Sequence, residues 1–185
     1  MLDDVQQEAR ERMDGAVKAL QSDLAAIRTG RASPALLDRV QVDYFGSPTP
    51  VNQLAVITIP EPRLIAIRPF SPSDIGLIQR AILKSDLGLT PSNDGRVIRL
   101  TIPQLTEDRR RDLSKQVGRR VEEARVAVRN VRRDAISDLR DFEKEGLITE
   151  DDLRLGYDKI QELTDEYVKR MDEIGEAKIA EIMEV

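Results

Sequence analysis

Cysteine, histidine and tryptophan are absent from all 185 positions, and the aromatics amount to three Phe and three Tyr. Without cysteine there is no thiol nucleophile, disulfide or thiolate ligand. Without histidine there is no imidazole ligand, and no side chain whose ordinary titration falls near neutrality. Chemistry on Asp, Glu, Lys, Ser or Tyr is what remains, and no serine has a histidine to activate it. So few aromatics leave little surface for stacking the bases of a single strand. No stretch approaches the 18 consecutive apolar residues that span a bilayer. The opening MLDDVQQEARERMDG has no basic-then-apolar targeting pattern. A cytoplasmic chain with no cofactor and no membrane association is expected, in keeping with the lack of cysteine. A net charge of −5 also leaves no overall excess of cations for holding nucleic acid indiscriminately.

Long helical patterning is what the sequence has in abundance. Leu2, Val5, Ala9, Met13, Ala16, Leu20, Leu24 and Ile27 recur at steps of three and four, which predicts a helix over 2–28. TGRASP (29–34) breaks it, with Gly30 and Pro34 as punctuation. The texture then changes. DRVQVDYF alternates as a strand, GSPTP reads as a turn, and LAVITI (54–59) and LIAIR (64–68) are two more strands around a PEP turn. SPSDIGLIQRAILKSDLG predicts a short helix capped by Ser71 or Ser73, with Ile75, Ile78, Ile82 and Leu83 buried. After the turn GLTPSNDG comes a last strand, RVIRLTI (96–102). Helical spacing resumes with Thr106 as N-cap and runs to about Glu145, where Gly146 fits a stop. Thr149 and Asp152 resemble a capping box that opens a third long helix.

Three helices this long bury their narrow apolar stripes only by packing together. The expected fold is α+β: an elongated antiparallel three-helix bundle (1–29 and 106–185) with a small inserted β/α/β sandwich domain (31–104). The connections at 29–34 and 103–106 make a hinge.

Charge is unevenly distributed. Residues 107–140 hold 11 Lys+Arg against 7 Asp+Glu, a net of +4, whereas 141–185 hold 6 against 15, a net of −9. On a wheel of roughly 100° per residue, Val117, Val121, Ala124, Val128, Ala135, Leu139 and Phe142 share one arc. Arg111, Lys115, Arg125, Arg129, Arg132, Arg133 and Arg140 share the next, interrupted by Glu122 and Glu143. The plain alternative is a solvated face paired to acids on its own or a neighbouring helix. The preference for arginine over lysine argues for more, because the planar guanidinium fork matches phosphate. A row of such forks suits the backbone and shape of structured RNA. An adaptor bundle would show a spare apolar stripe, and an enzyme in the β/α domain would need a convergent motif. Neither feature is present.

IRTGRASP (27–34), VDYFGSPTPVNQLA (42–55), SDLGLTP (85–91), PQLTEDRRRDLSK (103–115) and EEARVAVRNVRRDA (122–135) together resemble the ribosome recycling factor family, over essentially the whole chain. The resemblance implies an L-shaped, two-domain translation factor that is not an enzyme and acts as a monomer. It implies binding at the intersubunit face of the post-termination ribosome, against ribosomal RNA of the large subunit. Elongation factor G and its GTP hydrolysis would then split the subunits and release messenger RNA and deacylated transfer RNA. DNA and membranes are not implied partners. The implied rRNA contacts are Arg28, Gly30, Arg31, Arg110, Arg125, Arg129, Arg132 and Arg133. The implied hinge is Thr29, Gly30, Arg31, Pro103 and Gln104.

Overall fold

The computed structural model describes residues 1–184, and they form two compact units. One unit joins residues 1–28 to the C-terminal segment that begins at Thr106, and the other is 29–105. The fold is the expected mixture of long helices and a small sheet domain.

The first unit is built from α1 (Leu2–Ala25), α4 (Glu107–Lys144) and α5 (Glu150–Met183). Its core follows the sequence stripes: Met13, Val17 and Leu20 from α1, Val117, Val128 and Leu139 from α4, and Ile160, Leu163 and Met171 from α5 are all buried. Two caps fix the helix boundaries. Thr106 Oγ1 accepts from the Arg109 N–H at 3.2 Å. Thr149 and Asp152 form a reciprocal capping box. Gly146, at φ 73°, lets the chain leave α4 in a Schellman turn: its N–H donates to Glu143 O and that of Leu147 to Phe142 O. That tight turn makes α4 and α5 antiparallel, with Leu139 level with Gly156 and Val121 level with Gly175. Lys159–Asp3 and Tyr167–Asp14 contacts set α1 parallel to α5. The first helix stops three residues short of expectation. With no left-handed cap residue its end tightens, and Ile27 N–H bonds to Leu24 O.

The second unit contains a hairpin of β1 (Gln41–Tyr44) and β2 (Ser47–Pro50), and a one-turn helix α2 (Val51–Leu54). An antiparallel sheet follows, of β3 (Ala55–Glu61), β4 (Leu64–Pro69), β5 (Ser92–Asn93) and β6 (Ile98–Thr101) in the order β3-β4-β6-β5. Helix α3 (Ile75–Lys84) packs its Ile75, Ile78 and Ile82 into a core with Ile65, Ile67, Ile98 and Leu100.

Four expectations are corrected here. SPTP is a strand, not a turn: Phe45 and Gly46 alone make the reversal, both at positive φ. An edge strand tolerates its prolines. The strands around PEP extend further than expected, because β3 reaches Glu61 across a bulge and leaves Pro62–Arg63 as the turn. Neither Ser71 nor Ser73 caps α3; a 3-10 turn, Pro72–Asp74, intervenes and the two hydroxyls bond each other at 2.8 Å. Leu83 is 62% exposed, because it falls one residue past Ile82, outside the α3 stripe.

Candidate nucleic-acid interface

α4 is one continuous helix from Glu107 to Lys144, so it holds its arginines in fixed register. Arg110 and Arg133 are separated along its axis by about 35 Å at 1.5 Å per residue. The bundle carries Arg28, Arg110, Arg125, Arg129, Arg132 and Arg133; Gly30 and Arg31 belong to the second unit. Arg28 is exposed just past the end of α1. Gly30 has φ 77°, and a Cβ there would meet Leu105 Cγ at 3.2 Å, so conformation and space both favour glycine. Thr29, Pro103 and Gln104 also lie in the second unit, at its two chain ends.

The expected cation stripe is not uniform. Arg111 donates to Glu107 one turn earlier, and Arg140 donates to Tyr157 Oη at 2.6 Å with its guanidinium 5.6 Å from the ring centre. Those two belong to the fold's own contacts, because each finds a partner within helical or interhelical reach. Around Arg125 the pairing is denser. Its Nε donates to Asp172 Oδ1 at 2.8 Å across to α5, and its Nη1 donates to Glu122 at 2.9 Å. Arg129 donates to the other oxygen of Glu122 at 3.0 Å. The hydrogen bonds from Arg125 first, then Arg129, hold the Glu122 carboxyl below the ordinary carboxylate range. Pairing with Glu122 and then Asp172 raises the Arg125 guanidinium further above its ordinary value.

Arg132 differs from its neighbours. It is half-buried, its Nε is buried without a partner, and it makes no ion pair among the described residues. Its position explains this: it stands one turn after Val128 and seven residues before Leu139, at the edge of the core stripe. The aliphatic stem therefore packs inward while the head reaches for solvent. Arg110 is alike, half-buried with Nε unpartnered, and Ser114 Oγ one turn on is unpartnered too. Arg133 is exposed and, among the described residues, its side chain donates only to Asn130 Oδ1, at 2.6 Å. A guanidinium with a settled stem and an uncommitted head is ready for an external phosphate.

Wheel reasoning missed Arg109 and Arg119. Both are exposed and without ion-pair partners among the described residues, and with Lys115 they line a broad open depression along α4. The repeated arginines in DRRRD and GRR were the available signal. Asp172 was also missed, since nothing in the sequence says which acid of α5 meets Arg125.

The comparisons with known proteins agree with one another. Residues 20–183 match the family model described as Ribosome recycling factor. The chain is 57% identical to the ribosome-recycling factor of Halalkalibacterium halodurans and 54% identical to that of Roseiflexus sp., with all of each chain covered in both cases. Among solved structures it is 40% identical to a ribosome recycling factor studied in solution, at a TM-score of 0.73, covering 100% of this chain and 98% of that one. It is also 40% identical, at a TM-score of 0.63 and full coverage of both chains, to a chain from the models of the T. thermophilus ribosome recycling factor and the E. coli elongation factor G bound to the E. coli post-termination complex. By full-length identity and by fold, the chain belongs to the ribosome recycling factor family.

Proposed function

We propose that this protein binds the post-termination ribosome by laying the arginine face of α4 on ribosomal RNA of the large subunit. Acting with elongation factor G, which hydrolyses GTP, it then separates the subunits and releases messenger RNA and deacylated transfer RNA. The observation that carries this reading is Arg132, a guanidinium on a rigid helix with its stem packed and no partner among the described residues. Arg110, Arg129 and Arg133 extend the contact along the helix, with Arg125 held in register by Asp172. Arg28, Gly30 and Arg31 add to it from the first linker. Thr29–Arg31 and Pro103–Gln104 act as the hinge between the units. The factor works as a cytoplasmic monomer without covalent chemistry of its own. Among the described residues no helix is long and apolar enough to cross a membrane.

The test is binding of the full-length chain to isolated large subunits across a salt series, beside an Arg129→Ala/Arg132→Ala variant. A steep fall with salt, and loss of binding in the variant, are expected. Binding indifferent to both would mean that the face serves the fold or another partner.

A further inference from the structure

The second unit carries its own cluster of cations, separate from the α4 face. Arg39 lies two residues ahead of β1, and Arg80 and Lys84 stand one turn apart on α3. α3 packs against β1, and between them opens a cleft of about 250 Å³. The three exposed cations stand around it, with half-buried Leu77 and Ala81 among its walls. None of the three side chains has an ion pair or hydrogen bond among the described residues. Of the other cations in the same unit, Arg99 meets Asp94 at 3.0 Å, whereas Arg63, Arg68 and Arg96 also make no ion pair among the described residues; what sets the three apart is that they share one concave cleft. The one acid lining the cleft, Asp43, is engaged in the hairpin turn, where its Oδ1 accepts from the Gly46 N–H at 3.0 Å.

We infer that this cleft is a phosphate-binding site that holds the backbone of an RNA strand, independently of the α4 face. The inference rests on the reading of this chain as an RNA-binding factor. A concave, basic surface concentrates field at its mouth and attracts anions. Two guanidinium forks and one ammonium match the oxygens of a phosphodiester. An acidic protein partner is the poorer fit. Protein interfaces are centred on apolar or aromatic anchors. The large exposed apolar side chains of this unit, Phe45, Val56, Phe70 and Leu83, are all outside the cleft lining.

The experiment follows backbone amide resonances of the full-length, ¹⁵N-labelled chain during titration with a short RNA hairpin and, separately, with a polyglutamate peptide. RNA is expected to give saturable shifts at residues 39–41 and 80–85. In Arg80→Gln/Lys84→Gln those shifts vanish while residues 129–133 still respond, and unchanged amides elsewhere show that the fold persists. The salt dependence of binding should lose about one unit of slope for each phosphate contact removed. Amides of the cleft that stay silent while 129–133 move would overturn the inference and leave the α4 reading standing. Tighter saturation by polyglutamate at the cleft would overturn it in favour of an acidic protein. Silence at both faces would sink both readings.

Discussion

At the residue level, Glu122 competes with any external phosphate for Arg125 and Arg129, because both already donate to its carboxylate. Exposed pairs of this kind are weak and are screened by salt. Glu122→Gln should therefore raise affinity for large subunits severalfold at low salt, with the gain shrinking as salt rises; unchanged affinity would mean that Glu122 does not restrain the arginines. Arg132→Ala should melt only moderately below the parent, since it loses the packing of the stem at the core edge but breaks no ion pair among the described residues. Its binding should fall at least roughly tenfold, as for the loss of a charge-assisted hydrogen bond. Severe destabilisation with intact binding would make Arg132 a structural residue. A third prediction concerns Asp94 in the β5–β6 turn. Its carboxylate accepts from the backbone N–H groups of Val97 and Arg96 and pairs with Arg99, which lowers its pKa from the ordinary 3.8 to about 2. Since the folded value is the lower one, this contribution to stability is complete above 3.8 and is lost as pH falls through about 2. A carbon-detected titration of the Asp94 carboxyl should show that low midpoint, and Arg99→Ala should raise it. That Arg129, Arg132 and Arg133 lie together on one helix was legible in the sequence, because helical spacing runs unbroken through them. The pairing of Arg125 with Asp172 was not, because it is set by the interhelical register of α4 and α5.

At the scale of elements, two glycines of α5 set how closely it approaches α4. A Cβ on Gly175 would lie 2.6 Å from Val121 Cγ2, and one on Gly156 would lie 2.8 Å from Leu139 Cδ1. Alanine ordinarily gains about 1 kcal/mol over glycine inside a helix. Here the gain is outweighed, because overpacking a closed interface costs about 1–3 kcal/mol and Val121 is a branched, buried side chain. Gly175→Ala should lower the midpoint of thermal unfolding by several degrees, whereas Gly15→Ala, with nothing within 4 Å of its Cβ, should raise it. If both variants shift the same way, helix propensity and not packing governs these positions. The two cases also show what sequence conveys about the elements. All three long helices, the Thr106 and Thr149 caps and the Gly146 stop were readable, since a period near 3.6 sustained over many turns is a strong signal. The β1–β2 hairpin was not. Its second strand is SPTP, with no apolar alternation, and its pairing is imposed by the two-residue Phe45–Gly46 turn.

For the whole molecule, the important fact is that one unit is made from two distant pieces of chain and has its own core. The arginine face belongs entirely to it. If binding depends on that face, the bundle should retain it without residues 29–105, provided that Arg28 can be rejoined to Thr106. The Arg12–Asp134 ion pair gives the gap. From Arg12, α1 runs about 20 Å to Ala25 and the tight turn that ends it carries the chain a few ångströms further to Arg28, whereas Thr106 lies 28 residues before Asp134, about 42 Å along α4. The difference is about 18 Å. A Gly/Ser linker of about ten residues has a typical end-to-end distance of about 17 Å, so it can close the gap without strain. Such a protein should be almost wholly helical and unfold cooperatively. It should bind large subunits with the salt dependence of the parent apart from whatever Arg31 and the small unit contribute. It should not recycle ribosomes with elongation factor G, because the proposed hinge and the small unit are gone. A bundle that folds but no longer binds would move the principal contact into residues 29–105 and demote the α4 arginines to support.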